Sequence, residues 1–153
     1  TMRRSELPID AEPRADVVIL DTIGELATLY QLATVAFVGG SLVATGGHNI
    51  LEPAVFGKPI LFGQHMDNFA EIAATFLANA AAVQVRGARE LDDALVSLMT
   101  DPIRRARLGA AARALIEANR GAKDKSLEVL AALLPRDEST TFPSNVRPFR
   151  PIA

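Results

Sequence analysis

The sequence predicts an α/β fold in which a parallel sheet is flanked by helices, and three observations predict it. Four short β-rich apolar runs occur in the first 85 residues, at 17–20, 35–38, 60–62 and 82–85. Helical periodicities fill the gaps between them. After the fourth run the pattern is helical only. Strand and helix in alternation imply right-handed crossovers and hence parallel pairing.

The first run, Val17 to Leu20, is continuous and apolar, as are Val35 to Val38 and Ile60 to Phe62, and Ala82 to Val85 is broken only by Gln84. Continuous rather than alternating runs fit strands covered on both faces. Between the first two, Leu26, Leu29, Tyr30 and Ala33 fall at i, i+3, i+4 and i+7, one stripe of a helix. A short helix is expected from near Asn49 to Gly57, and Phe69, Ile72, Ala73 and Phe76 repeat the helical spacing before the fourth strand. Leu91, Leu95 and Leu98 mark the next helix. Asp101-Pro102 opens another, with Ile103, Leu108, Ala111, Leu115 and Ala118 expected on its inner face. Arg104, Arg105, Arg107 and Arg113 then form its solvated face. Gly121 separates it from a last helix carrying Leu127, Leu130 and Leu134, and from Pro135 the chain turns polar and Pro-rich. The expected organisation is one domain over 1–135 and a tail over 136–153. Four strands make half to two-thirds of a doubly wound domain. Thr1 is expected to begin without a strand of its own, the sheet continuing in sequence that precedes it.

Composition removes several classes of function. At 153 residues, 49% hydrophobic and 22% charged, the chain has the make-up of an ordinary globular domain. It has no cysteine, which excludes disulfides, a thiolate nucleophile and Cys-based metal sites. A net charge of −2 argues against nucleic acid as a partner. No run reaches the roughly 20 apolar residues of a membrane span, and Met2-Arg3-Arg4 leads into polar Ser5-Glu6 rather than a signal-peptide core.

The candidate site lies at the helix starts. Thr22-Ile23-Gly24-Glu25, Asn49-Ile50-Leu51-Glu52 and Asn68-Phe69-Ala70-Glu71 each have the capping-box spacing, which makes each Glu first a cap and only second a ligand. In a parallel sheet all three starts face the carboxyl rim, where open α/β sheets bind ligands, and their free N–H groups favour an anion. Between the second and third strands runs Gly39-Gly40-Ser41, then Gly46-Gly47-His48-Asn49. Two glycine pairs at a strand-to-helix turn let the backbone approach a phosphate. The spacing is neither the dinucleotide fingerprint nor a P-loop. His48 and His65 both lie in rim loops without a metal-binding spacing, so no metal is expected; His48 either binds phosphate or fixes the loop.

Asp21-Thr22-Ile23-Gly24-Glu25-Leu26, Ala36-Phe37-Val38-Gly39-Gly40-Ser41-Leu42, Gly46-Gly47-His48-Asn49-Ile50-Leu51-Glu52-Pro53-Ala54, Gly57-Lys58-Pro59 and Asn68-Phe69 together resemble the bacterial Kdo transferases. These are GT-B glycosyltransferases, with two Rossmann-like domains and a cleft between them. The resemblance runs from about Asp21 to Glu71. It implies part of a GT-B C-terminal domain and a donor site for CMP-Kdo, with no cofactor. Glu52 would accept from the ribose hydroxyls. Ile23, Gly24 and Glu25, with Asn49, Ile50 and Leu51, would hold phosphate and cytidine through backbone amides. Gly39, Gly40 and Ser41 would flank the donor beside Gly47 and His48.

The same resemblance implies a lipid A acceptor met through an N-terminal domain that also carries the catalytic carboxylate, so that none of the catalytic residues lies in this chain. The chain would then start partway through the C-terminal domain, bind nucleotide weakly, catalyse nothing alone and self-associate through an unpaired sheet edge. The full-length enzyme would work at the cytoplasmic face of the bacterial inner membrane. Where the family usually has Gly-Pro-His, this chain has Gly63-Gln64-His65. Two other readings of the same residues are a different GT-B sugar-nucleotide enzyme, a UDP-sugar transferase or epimerase, and a non-catalytic nucleotide-binding module.

Overall fold

The structure, a computed structural model, describes residues 1–8, 11–119 and 121–133. The chain divides into two compact units, Thr1–Asn119 and Arg120–Ala153. Leu134, the 134–135 boundary and the Pro-rich tail lie outside the described residues. In the second unit the described structure is one helix, α6 (Ala122–Leu133), on which Leu127 and Leu130 are both exposed.

The first unit contains the α/β alternation the sequence predicts. Its elements are β1 (Met2–Arg3), β2 (Val18–Ile19), α1 (Leu26–Leu29), β3 (Ala36–Val38), α2 (Leu51–Val55), β4 (Ile60–Phe62), α3 (Ala70–Ala78), β5 (Val83–Gln84), α4 (Ala88–Thr100) and α5 (Pro102–Ala118). Short 3-10 turns extend α1 over Tyr30–Leu32 and precede α3 over Asp67–Phe69. All strand pairs are parallel.

Two expectations need correction here. Thr1 is followed at once by a strand: Met2 and Arg3 pair with Val18 and Ile19. A two-residue strand carries no periodicity and could not be read from sequence. The strands also form two sheets rather than one, β1-β2 and β3-β4-β5. Nor is β2 covered on both faces, since Val17, Val18 and Ile19 are 54%, 41% and 48% exposed.

The larger sheet is built around β4, whose Ile60, Leu61 and Phe62 are all fully buried. Successive strand residues point to opposite faces, and the packing follows that rule. Ile60 and Phe62 join Ile50, Ala54, Ala73, Phe76 and Ala112. Leu61 instead joins Leu98 and Leu108, with Leu91 and Leu95 packed against them. An apolar run with no alternation thus serves two cores, one on each face.

Helix α5 starts as the sequence predicts, with the Asp101 carboxylate accepting the Arg104 amide at 2.8 Å and Pro102 at the first position. Its buried stripe, however, is Leu108, Gly109 and Ala112, with Ala111, Leu115 and Ile116 packed alongside. Ile103 is 73% exposed and Ala118 is exposed too. The stripe is set by a close approach to the turn after α2. A Cβ on Gly109 would lie 1.9 Å from the Gly57 carbonyl oxygen, so only glycine allows that approach. Arg104, Arg107 and Arg113 are exposed, whereas Arg105 is half-buried and donates to the carbonyls of Leu98 and Met99 at 2.7 and 2.8 Å, closing the end of α4.

Candidate functional site

Parallel pairing brings the carboxyl ends of β3 and β4 to one rim, and the two loops that leave them are knitted together. Ser41 donates its hydroxyl hydrogen to the Val38 carbonyl at 2.5 Å and accepts the Gly63 amide at 2.7 Å. The His65 amide reaches the Ser41 carbonyl at 2.9 Å, and the Asn68 amide reaches that of Gly46 at 3.1 Å. The glycine loop also closes on itself, Gly40 accepting from the Gly47 amide at 3.0 Å and from the Thr45 hydroxyl at 2.7 Å. Gly40 and Gly47 both sit at positive φ, and a Cβ on Gly47 would lie 2.4 Å from the Met66 sulfur. This loop is a tightly packed turn.

Beside it opens a cavity of about 400 Å³. Its polar lining is Gly39, His48, Asn49 and Glu52, and Leu26, Tyr30, Phe37, Val38 and Phe69 also line it. Asn49 does two jobs at the start of α2. Its carbonyl oxygen accepts the Leu51 amide at 3.0 Å, and its amide nitrogen donates to the Glu52 carboxylate at 3.4 Å. One oxygen of Glu52 is thereby held while the half-buried side chain faces the cavity. Tyr30 stands near enough for electrostatic influence. Burial first, and then the charge of Glu52, push its phenol above its ordinary pKa.

The sequence-predicted residues therefore separate into groups. Gly39, His48, Asn49 and Glu52 come together at the cavity. Ser41, expected to flank a ligand, is fully buried with its hydroxyl engaged on both sides. It joins the ends of two strands. Ile50 is likewise fully buried in the core, and the Leu51 amide is already satisfied by Asn49. Gly40 and Gly47 shape the loop rather than line the cavity.

Ile23, Gly24 and Glu25 sit in the turn entering α1. Ile23 is fully exposed, and Glu25 binds the Thr22 hydroxyl and makes an ion pair with Arg4 at 3.0 Å. No side chain caps the first amides of α1. The capping boxes expected at Thr22 and Asn68 are not formed, because Thr22 binds Glu25 directly and Asn68 reaches the Thr45 carbonyl at 3.5 Å. With only four and five residues, α1 and α2 carry small dipoles. Any anion held there is held by individual N–H groups.

Sequence reasoning missed Tyr30, Phe37 and Phe69, which it assigned to packing. Phe37 is the middle residue of β3 and is 37% exposed, whereas Ala36 and Val38 on either side are buried. A lone tyrosine at a helix end near a carboxylate was the available signal. Among the described residues no group of three or more His, Cys, Asp or Glu could hold a metal ion, and no helix is long and apolar enough to cross a membrane.

No family model matches the chain. It is similar to the 3-deoxy-D-manno-octulosonic acid transferase of Bordetella pertussis, 38% identical over 128 residues, covering 84% of this chain and 30% of that protein. The enzyme of the same name from Haemophilus influenzae is 37% identical over 139 residues, covering 89% of this chain and 32% of the relative. The chain thus spans about a third of the length of these relatives. Among solved structures it is similar to the C-terminal CMP-Kdo binding domain of WaaA from Acinetobacter baumannii, with a TM-score of 0.62 and 35% identity. That match covers 65% of this chain and 52% of that domain, and it agrees with the α/β architecture described above.

Proposed function

This chain belongs to the 3-deoxy-D-manno-octulosonic acid transferase family, and we propose that its cavity is part of the donor site, taking CMP-Kdo. The observation that carries this reading is Glu52. It is a half-buried carboxylate, oriented by Asn49 and facing a cavity at the carboxyl rim of a parallel sheet. A carboxylate accepts from both hydroxyls of a ribose diol through charge-assisted hydrogen bonds. Tyr30, His48 and Glu52 are the ionisable groups that line the cavity. A phosphate belongs beside His48 and Gly39, with the open amides near Gly24 and Glu25 as further donors. The solved CMP-Kdo binding domain, at 35% identity, supports the same ligand.

In the whole protein the reaction joins Kdo to lipid A in lipopolysaccharide synthesis. An acceptor hydroxyl oxygen attacks the anomeric carbon of Kdo, the bond from that carbon to the phosphate oxygen breaks, and CMP leaves. The acceptor proton passes to a carboxylate supplied by another domain. Amides at the rim stabilise the departing phosphate, so the reaction needs no metal. Such an enzyme acts at the cytoplasmic face of the inner membrane. The present chain on its own binds the nucleotide weakly and transfers nothing.

Calorimetry with CMP and UMP tests the donor reading. CMP binding is expected, weakened about 10- to 100-fold in Glu52→Gln, as the loss of one charge-assisted hydrogen-bonding group implies. A preference for UMP, or an affinity indifferent to Glu52→Gln, overturns it. Transfer of Kdo by this chain alone would overturn the claim that it is inactive.

A further inference from the structure

Of the three residues expected to cap helix starts, Thr22 and Asn49 bond within their own turns, and Asn68 does not. No side chain caps α3, although an asparagine cap ordinarily stabilises a helix start. Asn68 turns instead to the glycine loop that follows β3. Its side-chain nitrogen donates to the Thr45 carbonyl at 3.5 Å, and its backbone amide donates to the Gly46 carbonyl at 3.1 Å. The carboxamide also lies against the α-carbon of Gly46, where a Cβ would fall 2.4 Å from the side-chain nitrogen.

These contacts fix one peptide plane. The Gly46 carbonyl and the Gly47 N–H belong to the same rigid peptide unit. Asn68 holds the first, and the Gly40 carbonyl accepts the second at 3.0 Å. Both glycines sit at positive φ, 89° and 70°, in a region that glycine enters freely but does not favour over others. Left alone, such a pair samples many conformations, and ordering it when a ligand binds would cost affinity. The next two residues, His48 and Asn49, line the cavity, and Asn49 orients Glu52. Asn68 itself does not line it. We propose that Asn68 is a positioning residue for the donor. From the loop after β4 it orders the turn over residues 45–47, and so sets His48 and Asn49 before a nucleotide arrives. This inference rests on the donor-site reading above and adds a residue that does not touch the ligand.

Two measurements on the intact chain test it. Asn68 is exposed, so Asn68→Ala removes its side-chain contacts without emptying the core. Native-state hydrogen exchange reads the turn directly. The Gly47 amide should exchange about 2- to 12-fold faster in the variant, the effect of losing one ordinary hydrogen bond. The Val85 amide, bonded to the Phe62 carbonyl at 2.9 Å in the larger sheet, should keep its rate. Unaltered Gly47 exchange would mean that the turn is ordered without this side chain. Equal acceleration of Val85 would mean that the whole fold has loosened. Either result overturns the proposal.

Calorimetry with CMP separates positioning from a purely structural role. The unmodified chain is expected to bind, and Asn68→Ala to bind about 2- to 12-fold more weakly at the same stoichiometry. Faster Gly47 exchange with unchanged CMP affinity would make the contact structural only, overturning the proposal while leaving the donor reading in place. If the unmodified chain binds no CMP, the donor reading falls and this inference falls with it.

Discussion

The buried hydroxyl of Ser41 accepts the Gly63 amide at 2.7 Å, fastening the end of β3 to the end of β4 across 22 residues of sequence. Ser41→Ala leaves that amide without a partner in a place water does not reach. The expected cost is about 1–3 kcal/mol, seen as a lower urea midpoint with an unchanged slope. The same variant should keep any preference between CMP and ribose 5-phosphate, because the hydroxyl faces away from the cavity. An unaltered midpoint would show that the bond is dispensable.

Gly109→Ala decides between two opposed effects. Alanine favours the interior of a helix by about 1 kcal/mol over glycine. Here the new methyl would collide with the Gly57 backbone, and forced overpacking of that kind costs about 1–3 kcal/mol. The prediction is net destabilisation, measured by thermal melting. A higher melting temperature would mean that α5 and the turn after α2 are less closely held.

Titration of Tyr30 can be followed by its ultraviolet absorbance without interference, since there is no other tyrosine. Its pKa should lie above the ordinary tyrosine value, chiefly through burial and secondarily through Glu52. Glu52→Gln removes only the second cause and should lower the pKa part of the way. A folded pKa raised above the unfolded value gives a contribution that is fully present below the unfolded pKa and lost as pH rises through the folded one. Stability should therefore fall on the alkaline side, and a Tyr30→Phe variant should lack that component.

Self-association is expected at high concentration. Val17, Val18 and Ile19 expose apolar side chains, the last two forming β2, a strand with one described pairing partner. Light scattering should show dimers or larger assemblies, reduced in a Val18→Lys, Ile19→Lys variant. A clean monomer at millimolar concentration contradicts this.

Much of the scaffold was legible from residue type and spacing. β4 was readable because a short apolar run between Pro59 and Gly63, too short for a helix, suits a strand covered on both faces. The start of α5 was readable because Asp-Pro has few other uses. The site was harder. Asn49 and Glu52 were visible as a capping box, and the structure gives that spacing a different use, in which Asn49 orients the carboxylate. Ser41 was given a ligand role only through the family resemblance, and nothing local shows that its hydroxyl closes a turn. Phe37 was hidden for the opposite reason. Within a continuous apolar run, no periodicity separates a ring in the core from a ring in a cavity, and only the course of neighbouring elements decides.

At the front of the chain, Arg4 holds Glu25 and Ser5 grips Asp21 through both its amide and its hydroxyl, at 3.0 and 2.7 Å. The tether bears on α1, a single turn of helix whose far end is pinned by the Lys58 ammonium on the Gln31 carbonyl at 2.7 Å. The wall that carries Tyr30 is thus strung between two moorings distant in sequence, neither of which touches the chamber. Trimming the first six residues, or swapping Lys58 for a neutral side chain, would slacken that wall and loosen nucleotide capture with every lining residue still intact.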